Sequence, residues 1–272
     1  TPFGIAGVET LGYELAQQTR ALLGKAPDAV VVTNAGGGNV TGTARGLIKA
    51  GSGDTKVIGA SVDLKGLHMA SDRDFNRKSF TTGHTGFGLP FATWPDRSDV
   101  PRNAARPLRY LDRYVTVTQG DVFYITEALA TVEGLERGPA GNTSLAAAFA
   151  LAQEMDKDQV LVVQETEYTG AGKHPNAQLT FARANGIEIR RGDPTENVPG
   201  KSIVIPERPQ QIKVKEIGLE KARSSYVKNA VAALNGAPAT ADDIRFIAED
   251  CRASVEWVET ELKKHNITAG GK

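Results

Sequence analysis

A strand, a run of glycines and a helix follow one another near the start of this chain, and that order constrains its fold more than any other feature. Asp28-Ala29-Val30-Val31-Val32-Thr33 has the continuous apolar character of a buried strand. Asn34-Ala35-Gly36-Gly37-Gly38-Asn39 turns the chain, and Val40-Thr41-Gly42-Thr43-Ala44-Arg45-Gly46-Leu47-Ile48 reads as the opening of a helix. Lys56-Val57-Ile58-Gly59-Ala60-Ser61-Val62 is a second buried strand. This β-loop-α-β order predicts a parallel α/β sheet. Three consecutive glycines strip the turn of side chains, so backbone N–H groups can wrap an anion. The positive end of the following helix adds to the attraction. A phosphate group needs that geometry. The plainer reading is a tight βα turn, since such loops are short and often carry glycine.

A dinucleotide site is the rival for the same loop. Asp63 ends the second strand, where a ribose-binding acid would stand. The G-x-G-x-x-G spacing fails at its third glycine, however, because Thr41 occupies that position. A Walker A site is excluded, since no Gly-Lys-Ser/Thr follows the loop.

The 272 residues suffice for one large domain or two modest ones. Lys+Arg and Asp+Glu both number 32, and no long basic run appears, so neither nucleic acid nor an anionic membrane is a favoured partner. The one cysteine, Cys251, excludes an internal disulfide and a Cys-based zinc cluster. A reducing, cytoplasmic setting is expected, with no bilayer-spanning run and no secretory signal pattern. Thr1-Pro2-Phe3-Gly4-Ile5-Ala6-Gly7 reads as the middle of a polypeptide, either a processed chain or one piece of a longer protein.

The rest of the chain continues the α/β pattern. Val8 to Leu23 is amphipathic at helical spacing through Val8, Leu11, Leu15 and Leu22. Residues 64–107 are polar and rich in Gly, Pro, Asp and Arg, and read as a long functional excursion. Tyr114–Val117 and Gln159–Val163 are strands, with Asn185–Arg190 as a further short one. Helices are expected from Gly120 to about Glu133 and from Ser144 to Glu154. From about Pro206 the character changes to two charged amphipathic helices, Ile212 to Leu234 and Ala241 to Lys264. Thr240 is a candidate N-cap, with Asp242 and Asp243 in the first turn. Ile244, Ile247, Cys251, Val255, Val258 and Leu262 form one apolar stripe, in which Cys251 is a core residue rather than a reactive thiol.

Several segments together carry a family resemblance. Gly7-Val8-Glu9-Thr10-Leu11-Gly12-Tyr13-Glu14-Leu15, the Asp28–Val32 strand and Gly36-Gly37-Gly38-Asn39 resemble the fold-type-II pyridoxal-phosphate (PLP) enzymes. That family includes threonine synthase, the tryptophan synthase β chain, cysteine synthase and diaminopropionate ammonia-lyase. Three further matches keep its order: Thr82-Gly83-His84-Thr85-Gly86-Phe87-Gly88-Leu89-Pro90, then Val132-Glu133-Gly134-Leu135 with Gly138-Pro139-Ala140-Gly141, then Val160-Leu161-Val162-Val163. The resemblance implies a tryptophan synthase β-like α/β fold, a parallel sheet with flanking helices, over residues 1–205. Residues 206–272 would be a C-terminal helical extension.

The resemblance also implies a site. Gly36, Gly37, Gly38 and Asn39 would cradle the cofactor phosphate, with Thr41 as a hydroxyl donor. Glu165, Thr166 and Thr169 are candidates for the pyridine nitrogen, Glu165 and Thr169 being favoured. A carboxylate there would keep the nitrogen protonated, and a hydroxyl would leave it closer to neutral. The competing reading makes Glu165 and Glu167 surface carboxylates. No segment matches the family's lysine-bearing motif, and Lys25, Lys49, Lys65, Lys78 and Lys173 stand in other contexts. The chain therefore looks like the C-terminal portion of the enzyme, without the Schiff-base lysine.

A narrower likeness lies in Thr1–Thr10 and in Gln164-Glu165-Thr166-Glu167-Tyr168-Thr169-Gly170-Ala171-Gly172-Lys173-His174-Pro175. These resemble the thiolase β-subunit branch of the family, which acts on 2-amino-4-ketopentanoate in ornithine fermentation. That likeness implies PLP as cofactor, coenzyme A as co-substrate, acetyl-CoA and alanine as products, and a hetero-oligomer with a small α subunit. The missing N-terminal half would be part of the same protein or a second chain. His84 and His174 are then acid–base candidates, and Arg73, Arg77, Lys78, Arg97, Arg102 and Arg106 could meet phosphates; surface roles are the plainer reading of each. A threonine synthase-like or ammonia-lyase-like activity is the enzymatic alternative. A non-catalytic subunit that kept the fold is the alternative of another class.

Overall fold

The computed structural model describes residues 2–34, 37–63, 106–139, 141–165, 175–184, 186–198 and 201–267. Its centre is a five-stranded sheet. Strands β1 (Ala29–Thr33), β2 (Lys56–Val62), β3 (Arg113–Val117) and β4 (Leu161–Gln164) run parallel in the order β4-β1-β2-β3. Strands β5 (Glu188–Arg191) and β6 (Ser202–Ile205) form a separate parallel pair. Strand β7 (Lys215–Glu216) closes the main sheet antiparallel to β3.

The valines explain why β1 is central. Val30, Val31 and Val32 are fully buried, because helices cover both faces of the sheet. Burying each contributes about 1.5–3 kcal/mol. Val30 and Val32 pack with Ala16 of α1 (Pro2–Leu23) and with Val40, Ala44 and Leu47 of α2 (Gly38–Lys49). Val31 packs on the other face with Val122 and Ile125 of α3 (Gln119–Glu133) and with Ala146, Ala147 and Ala150 of α4 (Thr143–Ala152). Small alanines let α4 lie close to the sheet. Helix α3 starts on a reciprocal cap: Thr118 Oγ1 accepts from Asp121 N, and Asp121 Oδ2 accepts from Thr118 N at 2.8 Å.

Helices α1 and α2 touch at their backbones. A Cβ on Gly46 would sit 2.2 Å from the Glu9 carbonyl oxygen, one on Gly12 2.3 Å from that of Thr43, and one on Gly42 2.6 Å from Val8 Cβ. The buried stripe of α1 is accordingly Ile5, Gly12, Ala16 and Thr19, with Val8 and Leu15 half-buried. Leu11 and Leu22, expected on the buried face, are exposed. Close glycine contact, not leucine packing, sets the rotation of this helix.

Three other expectations shift. Strand β4 runs one residue further than expected, through Gln164. Residues 212–218 are not helical: Ile212 is buried in the main core and Lys215–Glu216 pair with β3. Helix α5 (Pro175–Ala184) covers β5 and β6, and the helix after β7, α6, spans only Leu219–Ala233. The helix expected from Ala241 to Lys264 is two, α7 (Ala241–Cys251) and α8 (Val255–Lys264). Arg252 turns left-handed at φ 52° and Ser254 caps α8 by accepting from Trp257 N, so the stripe folds back on itself. Ile244, Ile247, Cys251, Val258 and Leu262 are buried together with Val227 of α6, while Val255 is exposed. Thr240 caps α7 as expected, reciprocally with Asp243. No described helix is long and apolar enough to cross a membrane.

Candidate active site

The four parallel strands end at one edge, and α2 and α4 begin there. That edge is where open parallel sheets take ligands, because helix N-termini with their free N–H groups converge on it. The glycine turn lies at its centre. Gly37 adopts the left-handed conformation, φ 79°, and leads into α2 with no side chain capping the helix. Among the described residues, a Cβ on Gly38 would meet only Ile5 Cγ1 at 4.0 Å, so they leave the space in front of the helix start open. Asn39 stands half-buried in the first turn. Thr41 is buried and its hydroxyl donates to the Gly37 carbonyl at 2.8 Å. Its proton is spent bracing the turn from within the helix rather than presented outward.

Around this turn the strand ends carry polar residues that the sequence pattern did not single out. Thr43 of α2 donates to Gln164 Oε1 at the end of β4, 2.5 Å away. Ser144 Oγ reaches the carbonyls of Gln164 and Gly141 at 2.9 and 3.0 Å, and its N–H donates to Thr33 Oγ1 at 3.1 Å. Ser61 donates to the Asn34 carbonyl at 2.7 Å, so the Tyr114 hydroxyl, 2.8 Å from Ser61 Oγ, is the donor of that pair. These bonds tie β1, β2 and β4 to the starts of α2 and α4. Their signal in the sequence is only the small polar residue that follows each apolar run.

Among the described residues, the same edge holds buried polar atoms without partners. Asn34, immediately before the turn, is fully buried with neither Oδ1 nor Nδ2 bonded. Asn142 Oδ1 and Thr143 Oγ1, at the uncapped start of α4, are also unbonded. A buried unpaired group costs about 1–3 kcal/mol, and such costs gather where a ligand completes the set.

Register places Gln164 beside Val32, so Glu165 follows at the end of β1, half-buried and next to the turn. Gly36, Thr166, Thr169, His84, His174 and the basic residues Arg73, Arg77, Lys78, Arg97 and Arg102 lie outside the described residues, as does most of the 64–107 excursion. Asp63, the acid of the dinucleotide rival, is ion-paired with Lys215 at 3.6 Å. Gly42, which follows the failed fingerprint position, is a helix-packing glycine.

The family model described as pyridoxal-phosphate dependent enzyme matches residues 1–166. The chain belongs to the pyridoxal-phosphate dependent enzyme family. Two curated relatives carry the name 2-amino-4-ketopentanoate thiolase beta subunit. One, from an unknown prokaryotic organism, is 66% identical over 263 residues, 97% of this chain and 56% of the relative. The other, from Acetoanaerobium sticklandii, is 65% identical over 264 residues, again 97% of this chain and 56% of the relative. The chain thus spans little more than half the length of these relatives. Among solved structures, the processed form of threonine deaminase isoform 2 from Solanum lycopersicum aligns with 67% of this chain and 50% of its own at 15% identity and a TM-score of 0.43. A hydrogen sulfide-producing enzyme from Fusobacterium nucleatum aligns with 79% of this chain and 53% of its own at 17% identity and a TM-score of 0.46.

The described residues fit the phosphate end of this family's cofactor. The turn is bare of side chains at Gly37 and Gly38, the helix behind it is uncapped, and unpaired polar atoms stand at the strand ends beside it.

Proposed function

We propose that this chain is the phosphate-holding part of a PLP-dependent β subunit. With a small α subunit, that enzyme cleaves 2-amino-4-ketopentanoate with coenzyme A to acetyl-CoA and alanine. The observation that carries this reading is the 65–66% identity, over 97% of the chain, to proteins of that name. Identity of that extent supports a shared site within the shared length.

In this reading Gly36, Gly37, Gly38 and Asn39 wrap the cofactor phosphate with backbone N–H groups, reinforced by the positive end of α2. Thr41 holds the turn in shape through Gly37. Glu165 and Thr169 are the partners proposed for the ring nitrogen, and a carboxylate at Glu165 would keep that nitrogen protonated. When bound, the cofactor supplies an electron sink for negative charge beside the amino group of the substrate. The lysine that anchors it is proposed to lie in the part of the relatives that this chain does not span. The reaction balances as a thiolysis. The coenzyme A sulfur bonds to the C4 carbonyl carbon, the C3–C4 bond breaks, and C3 takes up a proton. A cytoplasmic setting suits the coenzyme A requirement.

The test uses the full-length β subunit made together with its α subunit. Acetyl-CoA should form only when both 2-amino-4-ketopentanoate and coenzyme A are present. Borohydride reduction followed by peptide mass mapping should place a PLP adduct on a lysine outside these 272 residues. An adduct on one of the chain's own lysines, or turnover that ignores coenzyme A, would overturn the proposal.

A further inference from the structure

A cavity of about 480 Å³ opens beside the carboxyl ends of β2 and β3, on the same edge of the sheet as the glycine turn. Strand spacing sets it roughly 5–10 Å from the end of β1. Its size is within the range of small-molecule sites, on the order of 300–1,000 Å³. Val117, Val198 and Val214 give it apolar walls. Asn197 adds an amide to the lining, its Oδ1 without a partner among the described residues.

Its charge comes from one short segment. Lys213 and Lys215, the latter the first residue of β7, both line the cavity. Lys215 is 3.6 Å from Asp63, which also lines it. Lys213 has no ion-pair partner among the described residues. The lining charge is therefore positive by one, carried at an exposed rim above apolar walls. That combination suits a flat apolar ring system bearing phosphate, with the ring between the valines and the phosphate at the lysines.

We propose that this cavity seats the adenine nucleotide end of the thiol co-substrate, leaving its arm to reach along the sheet edge to the substrate held near the glycine turn. The proposal rests on the thiolase reading for the identity of the thiol, and its placement follows from the cavity alone. A long co-substrate held at its far end by contacts remote from the reacting sulfur gains orientation without crowding the reaction centre.

The test is calorimetric titration of the full-length β subunit, in complex with its α subunit, with desulfo-coenzyme A, which keeps the nucleotide and cannot react. Wild type should bind it, Lys213→Ala/Lys215→Ala should weaken binding at least about tenfold, and the double Arg variant should restore it. Cleavage driven by pantetheine, which lacks the nucleotide, should be the same in all three proteins, which also reports that the variants are folded. If wild type fails to bind, if the Ala variant binds equally well, or if both thiols lose activity together, the proposal is wrong. If the complex makes no acetyl-CoA yet binds desulfo-coenzyme A in a lysine-dependent way, the thiolase reading fails and the nucleotide site stands.

Discussion

Thr43, in the second turn of α2, donates its hydroxyl to Gln164 Oε1 at the end of β4, 2.5 Å away, and both residues are buried. They are far apart in sequence, and their bond holds the helix behind the glycine turn against the strand that leads to Glu165. Thr43→Val should leave Gln164 Oε1 buried without a donor and destabilise the protein by about 1–3 kcal/mol. Urea denaturation should show a lower midpoint with an unchanged slope.

Glycines at two ends of α2 should respond oppositely. Gly46→Ala drives a methyl into the Glu9 carbonyl, and backbone cannot swing aside, so about 1–3 kcal/mol of stability should be lost. Gly38→Ala meets open space and favours helix, so the melting temperature should hold or rise. The same methyl would project into the proposed phosphate cradle. Absorbance titration of the full-length protein should then show weaker PLP binding for Gly38→Ala without loss of fold.

Asp121 titrates in an unusual window. Burial pushes its carboxyl up to about 6 from the ordinary 3.8, although hydrogen bonds from Thr118 favour the ionised form. The folded state therefore holds this proton more tightly than the unfolded chain. Its stabilising effect is complete below about pH 4 and is lost as pH rises through 6, amounting to about 3 kcal/mol. Asp121→Asn should remove that slope, read as the difference between wild-type and variant denaturation midpoints from pH 4 to 7. An identical pH dependence in both proteins would refute it.

Cys251 should be inert while the protein is folded. It is buried in the core shared by α6, α7 and α8, and burial pushes its thiol up to about 12. Thiolate is the reactive species, so labelling with a disulfide reagent at pH 8 should proceed only at the rate of local or global unfolding. Labelling that is as fast as in a free thiol would contradict this packing.

Much of the fold around the glycine turn is legible in the sequence. The run from Ala29 to Val62 declares strand, turn, helix and strand through short-range patterns, and each element appears within one or two residues of its expected limits. The cap at Thr240 was legible in the sequence; Thr118 makes the same reciprocal bond, with Asp121 buried where Asp243 is half-buried. The exposure of Leu11 and Leu22 was not readable, because apolar spacing alone cannot tell a leucine face from a glycine face that lets two helices touch.

The sequence by itself determined the glycine turn between a valine strand and a helix, the parallel order around it, the family and the apolar stripe of α7 and α8, since each is written in neighbouring residues. Tertiary structure alone decided that β4 lies beside β1, bringing Gln164 and Glu165 to the turn, and that Lys213 and Lys215 face a cavity at the ends of β2 and β3. It also decided that residues 212–218 join the sheet instead of extending a helix. Those outcomes depend on partners about a hundred residues away or more, and strand pairing and burial are settled by such partners rather than by local preference.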